Sequence, residues 1–177
     1  MSAFLLLIPF FLIRFGLLVF LNKDSVTRAA MFAPVKGGEI PAYWVYQVSN
    51  GFILVSLCFQ KIMIDFSWFF YAGIISYAVG LALCTGAVIN FAVPRNKKFH
   101  DNGLYRYSRN PMYLAYFIFF AGCALLVRSA VLGVFVLLFI VSSHWIILSE
   151  ERWCIMEFGD EYREYMKKVR RYIGMVP

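Results

Sequence analysis

Apolar residues fall along this chain in long blocks rather than at the period of a strand or a half-buried helix. The first block, Ala3–Leu21, is interrupted only by Arg14. A second covers 43–59 with Asn50 and Gly51 in its middle, and a third covers 66–93. Blocks at 112–127 and 130–148 follow, separated only by Arg128-Ser129. Runs of this length match the thickness of a bilayer's hydrocarbon core. The pattern predicts an all-α, polytopic membrane bundle with about five spans, the fourth and fifth forming a hairpin almost without a loop. It forms a single integral membrane domain over 1–177, ending in the segment 149–177 beyond the last span. The first block has no basic residue before it and no small-residue cleavage site after it, so it reads as a retained span rather than a signal peptide.

Composition sharpens this picture. Of 177 residues 62% are hydrophobic, 19% aromatic and only 15% charged. A soluble domain carries about a quarter charged residues, so a soluble enzyme is excluded and any chemistry must sit on loops and span ends. The net charge is +7, and its placement is informative. With the N-terminus outside, Lys23, Arg28, Lys36, Arg95, Lys97, Lys98, Arg106 and Arg109 lie on the cytoplasmic side. They are joined there by Arg152, Arg163, Lys167, Lys168, Arg170 and Arg171 of the C-terminal segment, leaving only Lys61 and Arg128 outside. This is the positive-inside distribution, and it predicts a cytoplasmic C-terminus. Aromatic residues mark span ends, Tyr43, Trp44 and Tyr46 inside and Trp68, Phe69 and Tyr71 outside.

Several features have structural readings. Gly73, Ser76, Gly80, Cys84 and Ala87 fall near one face of the third span, spaced for close helix packing. The four cysteines are scattered, so neither a disulfide framework nor a metal site is indicated. Arg14 is costly inside a span; it reads as snorkelling, as paired within the bundle, or as a substrate contact. No repeat and no nucleic-acid signature is present.

Two polar stretches carry the informative chemistry. In 94–113, Pro94 ends the third helix and Asp101-Asn102-Gly103 signals a turn. Asn110-Pro111 then starts the fourth helix, with Asn at the N-cap and Pro at the first helical position. That helix start, with Arg109 beside it, is a candidate anion site; the alternative is an ordinary capped helix with interfacial arginines. The second stretch is the end of the fifth span, His144-Trp-Ile-Ile-Leu-Ser-Glu-Glu-Arg152. The hairpin brings Glu150 and Glu151 opposite the Asn110-Pro111 helix start. His144, Ile147 and Glu151 share one helix face. Carboxylates opposite an anion site suit a zwitterion such as S-adenosylmethionine; the competing reading is a Glu–Arg ion-pair cluster closing the bundle end. The tail beyond is amphipathic, with Phe158, Tyr162, Tyr165 and Val169 on one side and Gly159-Asp160 as a helix stop and restart. It lies along the leaflet or folds back as a lid.

The motifs Gly103-x-Tyr105-x-x-x-Arg109-Asn110-Pro111-x-Tyr113, Glu150-Glu151-Arg152 and Phe158-Gly159-Asp160-Glu161-Tyr162-x-x-Tyr165 resemble the isoprenylcysteine carboxyl methyltransferase-like family. This superfamily of integral membrane methyltransferases includes phospholipid methyltransferases. The similarity covers about 101–173. It implies a small helical bundle using S-adenosylmethionine, with a lipid or lipidated acceptor entering from the bilayer. It also implies a cofactor pocket at Tyr105, Arg109, Asn110, Pro111, Tyr113, Glu150 and Glu151, which Tyr162 and Tyr165 help to close. The chain departs from the families it resembles in two places: Asn110 stands where the eukaryotic carboxyl methyltransferases have His, and the Gly-x-Gly that phospholipid methyltransferases carry before the glutamates is absent. The acceptor therefore stays open between an isoprenylcysteine-type carboxylate and a phospholipid amine. An anionic acceptor needs no strong base, whereas an ammonium must first lose a proton. Glu151 and His144 are the candidate bases, with Arg109 completing the catalytic set. Two other readings stand beside this one: an NADPH-dependent membrane reductase, since some sterol reductases share an Arg-x-Pro-x-Tyr signature, and a non-catalytic lipid-binding protein of the same fold.

Overall fold

The computed structural model describes residues 1–23, 26, 33–92 and 99–174. Arg28, Pro94, Arg95, Lys97 and Lys98, and the end of the third apolar block at Val93, lie outside them. All the named elements among the described residues are helices, and Ser2 and Lys61 form an isolated bridge.

Five helices account for the five apolar blocks. The first, α1, is Ala3–Leu21 and is irregular, with a 3-10 turn over Ala3–Leu6 and a π-helical stretch over Leu12–Leu17 that contains Arg14. The others are α2 (Glu39–Phe59), α3 (Trp68–Ala92), α4 (Pro111–Val127) and α5 (Ala130–Lys168). Four of these are long and apolar enough to cross a membrane, and α4 is a shorter apolar helix. Large apolar side chains such as Phe20, Phe59 and Trp68 are exposed, as lipid-facing residues of a membrane bundle are.

Small residues set the packing. A Cβ on Gly80 would lie 2.6 Å from the backbone of Phe119, and one on Gly122 would lie 2.5 Å from that of Tyr77. The backbones of α3 and α4 thus come into direct contact, as the small-residue face predicts. Ser76 of that face is only half-buried, whereas Gly73, Gly80, Cys84 and Ala87 are buried. Phe10 of α1 stacks on Phe119 at 4.6 Å and meets the edge of Tyr116 at 5.4 Å.

The α4–α5 hairpin turns on Arg128, in the left-handed region at φ 51°, and Ser129, whose hydroxyl accepts from the Leu132 amide at 3.2 Å. Arg128 pairs with Asp65, and the Met63 amide donates to the Leu126 carbonyl at 2.9 Å. Lys61, Asp65 and Arg128 therefore share one end of the bundle. The opposite end holds Asn22, which donates to the Ala92 carbonyl, together with the polar segments 99–110 and 149–174.

Helix α5 does not stop with its apolar stretch at Leu148. It runs on to Gly159, where φ 59° and ψ −133° break the helix before it resumes to Lys168. Only glycine reaches this conformation without strain. The stop and restart fall where Gly159-Asp160 signals them, and the tail then folds back over the polar end.

Candidate active site

Each residue of Glu150-Glu151-Arg152 fastens a different segment. Arg152 pairs with Glu39 and donates to the Pro34 carbonyl, tying the start of α2 to α5. Glu151 is buried and accepts on both carboxylate oxygens. Arg109 reaches Oε1 at 3.0 and 2.8 Å, and Arg171 reaches Oε2 at 3.0 and 2.8 Å. Glu150 accepts from the Tyr113 hydroxyl at 2.7 Å.

The Arg109 guanidinium also donates to the carbonyls of Met166 and Val169 at 3.1 and 2.8 Å. Its backbone amide donates to the Arg170 carbonyl, while the Gly174 amide donates to Tyr107. The Asn110 backbone occupies the N-cap position and Pro111 the first turn, as the sequence predicts. Its side chain does not cap the helix: it donates to the Arg171 carbonyl at 3.1 Å. The side chains of Arg109 and Asn110 at the helix start are thus engaged by tail carbonyls. The ion-pair cluster, one of the two readings of this geometry, is formed.

Gly103 explains how Tyr105 is placed. It sits at φ 54°, and a Cβ there would lie 2.2 Å from Asn90 Oδ1, which accepts from the Leu104 amide at 2.9 Å. The short 3-10 turn Gly103–Arg106 is pinned to the end of α3, burying Tyr105. The Tyr165 hydroxyl donates to the Tyr105 carbonyl at 2.6 Å, and Tyr162, Tyr165 and Val169 pack with Phe99, Phe158 and Cys154.

Beneath this tail lies a cavity of about 490 Å³, of the size that small-molecule sites occupy. Tyr105, Arg109, Asn110, Tyr113, Glu150, Glu151, Tyr162 and Tyr165 all line it. Of the residues the sequence singles out, His144 stands apart. It lines a separate apolar groove with Leu114, Phe117 and Trp145, and its Nδ1 lies 2.8 Å from the Tyr172 hydroxyl. His144 and Glu151 share a helix face in projection, but their side chains go to different partners. Pro111 is buried at the start of α4 and is not on the cavity wall.

The structure adds residues that sequence reasoning did not place here: Tyr46, Phe91, Phe99, Tyr116 and Trp153 on the wall, and Arg171 as the second cation on Glu151. The three-residue step from Tyr113 to Tyr116 was a readable signal. Arg171 had none, standing among four bases in 167–171. Arg14, with several readings in sequence, reaches the cavity from α1.

Electrostatically the two glutamates differ. Burial pushes the Glu150 carboxyl up to about 7, an effect that the neighbouring Glu151 charge reinforces and the Tyr113 hydrogen bond opposes. The charge of Glu151 is met by two guanidinium groups. Such a site can accept a proton or hold a cation at Glu150, between aromatic walls.

Comparison with known proteins bears on this arrangement. Residues 85–161 match the family model described as phospholipid methyltransferase. The match covers less than half of the chain but takes in the 103–113 motif, both glutamates and the Gly159 break. It supports the superfamily of membrane methyltransferases that the motifs resemble, and so points to a methyltransferase embedded in a membrane. It favours neither the reductase nor the non-catalytic reading. Arg14, Tyr46, Tyr162, Tyr165 and Arg171 lie outside the matched segment. No curated protein matches the chain.

Proposed function

We propose that this protein transfers a methyl group from S-adenosylmethionine to the amine of a lipid held in the bilayer, with Glu150 as general base. The observation that carries this reading is the contrast between the two glutamates. Glu151 is engaged on both oxygens by Arg109 and Arg171, whereas Glu150 faces the cavity with a tyrosine hydroxyl as its hydrogen-bond donor. A carboxylate in a closed pocket repels a carboxylate acceptor and attracts an ammonium. This favours the amine over an isoprenylcysteine-type acid.

The residues present suit the cofactor. Aromatic faces at Phe99, Tyr105, Phe158 and Tyr162 suit an adenine ring and a sulfonium cation, and the cavity is large enough to hold a nucleoside. When bound, S-adenosylmethionine supplies a methyl group activated by its sulfonium charge. Glu150 takes the proton from the acceptor's ammonium and exposes the nitrogen lone pair. Tyr113 holds that carboxylate in place. Glu151, Arg109 and Arg171 are positioning residues that hold Tyr162 and Tyr165 over the cavity and keep water out. His144 has no part in the transfer. The polar end carrying the site faces the cytoplasm in this reading, from the distribution of Lys and Arg.

The test is to supply methyl-labelled S-adenosylmethionine to the purified chain in vesicles holding phosphatidylethanolamine and an isoprenylcysteine acid. Label enters the amine lipid, and Glu150→Gln reduces that transfer by about 100-fold or more while cofactor binding persists. Label in the acid alone, undiminished by Glu150→Gln, would contradict the proposal.

A further inference from the structure

His144 and Trp145, which the methyl-transfer reading leaves unused, line a second hollow of about 500 Å³ along the α4–α5 hairpin. Val141 and Trp145 are exposed in it, so it opens toward the bilayer. Its polarity is graded with depth. Helix α5 rises toward the polar end and α4 descends from it. Ile140 and Val141 therefore lie about 6 Å deeper than His144 and Trp145, and Phe117 lies about 4.5 Å deeper than Leu114. The deep half is apolar. An imidazole, an indole and a phenol gather at the shallow end, where His144 Nδ1 lies 2.8 Å from the Tyr172 hydroxyl. Tyrosine and tryptophan rings mark the depth at which lipid chains give way to headgroups. A lipid of the leaflet at the polar end has the same order, headgroup outermost and acyl chain toward the midplane.

The groove is also close to both glutamates of the cavity. Phe117 meets the Tyr113 ring at 6.4 Å, and the Tyr113 hydroxyl donates to Glu150. Tyr172 follows Arg171, whose guanidinium holds Glu151 and whose carbonyl accepts from Asn110 at 3.1 Å. Of these two consecutive tail residues, one thus fastens a cavity carboxylate and the next forms part of the groove wall.

We propose that this groove binds the acyl chain of a bilayer phospholipid that is not the methyl acceptor, and that its occupancy tightens the tail over the cavity. The coupling rests on the methyl-transfer reading above; the lipid site does not. A lipid shifts the tail only by binding its closed arrangement better than its open one. Tyr172 supplies that difference, because it is groove wall while the tail is closed. An acyl chain packed against Tyr172 restrains the residue next to Arg171 and so favours the Arg171–Glu151 pair. The effect falls on cofactor affinity, and transfer at saturating cofactor is independent of it.

The experiment uses phosphatidylcholine brominated in its acyl chains, a quencher of indole fluorescence whose quaternary amine accepts no methyl group. It is titrated into the full chain in short-chain detergent micelles, with Trp44→Phe, Trp68→Phe and Trp153→Phe leaving Trp145 as the reporter. Quenching saturates as lipid is added, and it is lost when Leu114→Phe and Val141→Phe together fill the groove. Both changes exchange one apolar side chain for another. Quenching that only tracks the lipid fraction of the micelle, or that survives the filled groove, would overturn the site. In the unaltered chain, which needs no variant to fold, the same lipid tightens S-adenosylmethionine binding by about fivefold or more, measured by equilibrium dialysis. The filled groove loses this lipid dependence, and so does Tyr172→Phe. A saturable site with cofactor affinity indifferent to lipid would overturn the coupling. Affinity that rises with protein concentration in place of lipid would assign the groove to a second copy of the chain and overturn the lipid. Absence of cofactor binding in every arm sinks the methyl-transfer reading and the coupling with it, while the quenching still decides the lipid site.

Discussion

At the scale of single residues, the site depends on two adjacent glutamates doing different things. Their shared motif gives no hint of the division, because it is made by partners 37 and 42 residues away in sequence, Tyr113 and Arg109. The Tyr113 hydroxyl favours the charged form of Glu150, so Tyr113→Phe raises the carboxyl further. The pH midpoint of transfer then moves up from about 7, as a pH–rate profile will show. The same group links pH to stability. Its folded pKa lies above the ordinary 4.5, so protonation favours the fold. That contribution is complete below pH 4.5 and is lost as the pH rises through about 7. Glu151 behaves differently, since removing its charge leaves two guanidinium groups facing each other. Glu151→Gln destabilises the tail's attachment by about 3–5 kcal/mol, seen as faster proteolytic cutting beyond Gly159. By contrast, His144→Ala leaves the transfer rate within about twofold, because a rate change under 0.5 kcal/mol is expected of a residue away from the chemistry. Kinetics at saturating cofactor will check it.

At the scale of elements, the helices were largely legible and their contacts partly so. The apolar blocks give α1 to α5 to within a few residues at most ends, because twenty apolar residues have few alternatives in a bilayer. The small-residue face of α3 identified its packing side, and the structure shows why. At Gly80 a methyl group meets the Phe119 backbone, which cannot yield as a flexible side chain can. Gly80→Leu should therefore abolish assembly of a monodisperse bundle in detergent, measured by size-exclusion chromatography. Gly159 was legible as a stop, but the direction the tail takes afterwards was not. That direction depends on Arg109 bonding the Met166 and Val169 carbonyls, contacts with no sequence period. Gly159→Ala has open space for its methyl group, yet its backbone must hold φ 59°. The strain costs about 1–3 kcal/mol and loosens the tail over the cavity, which a weaker affinity for S-adenosylmethionine would report.

At the scale of the whole molecule, the bundle separates its charges by end. Lys61, Asp65 and Arg128 share one end, and the glutamates, the tail and most bases share the other. Charge is scarce in this chain, and four charged residues, Arg14, Arg109, Glu150 and Glu151, line one cavity. Through the resemblance the sequence indicated that end and eight residues of the wall, Tyr105, Arg109, Asn110, Tyr113, Glu150, Glu151, Tyr162 and Tyr165. Arg14 of α1 had a substrate contact among its readings, but nothing indicated that α2 contributes Tyr46, which belongs to no motif and is brought in only by three-dimensional closure. The central claim is that Glu150 deprotonates an amine in this cavity. The measurement that reads it most directly is the single-turnover rate of labelled methyl transfer to phosphatidylethanolamine across a pH range bracketing 7, for the unaltered protein and for Glu150→Gln. A rate that rises through about 7 to a plateau, with both the rise and most of the rate lost in the variant, is the predicted result. A flat profile, or the same rise in Glu150→Gln, would contradict it.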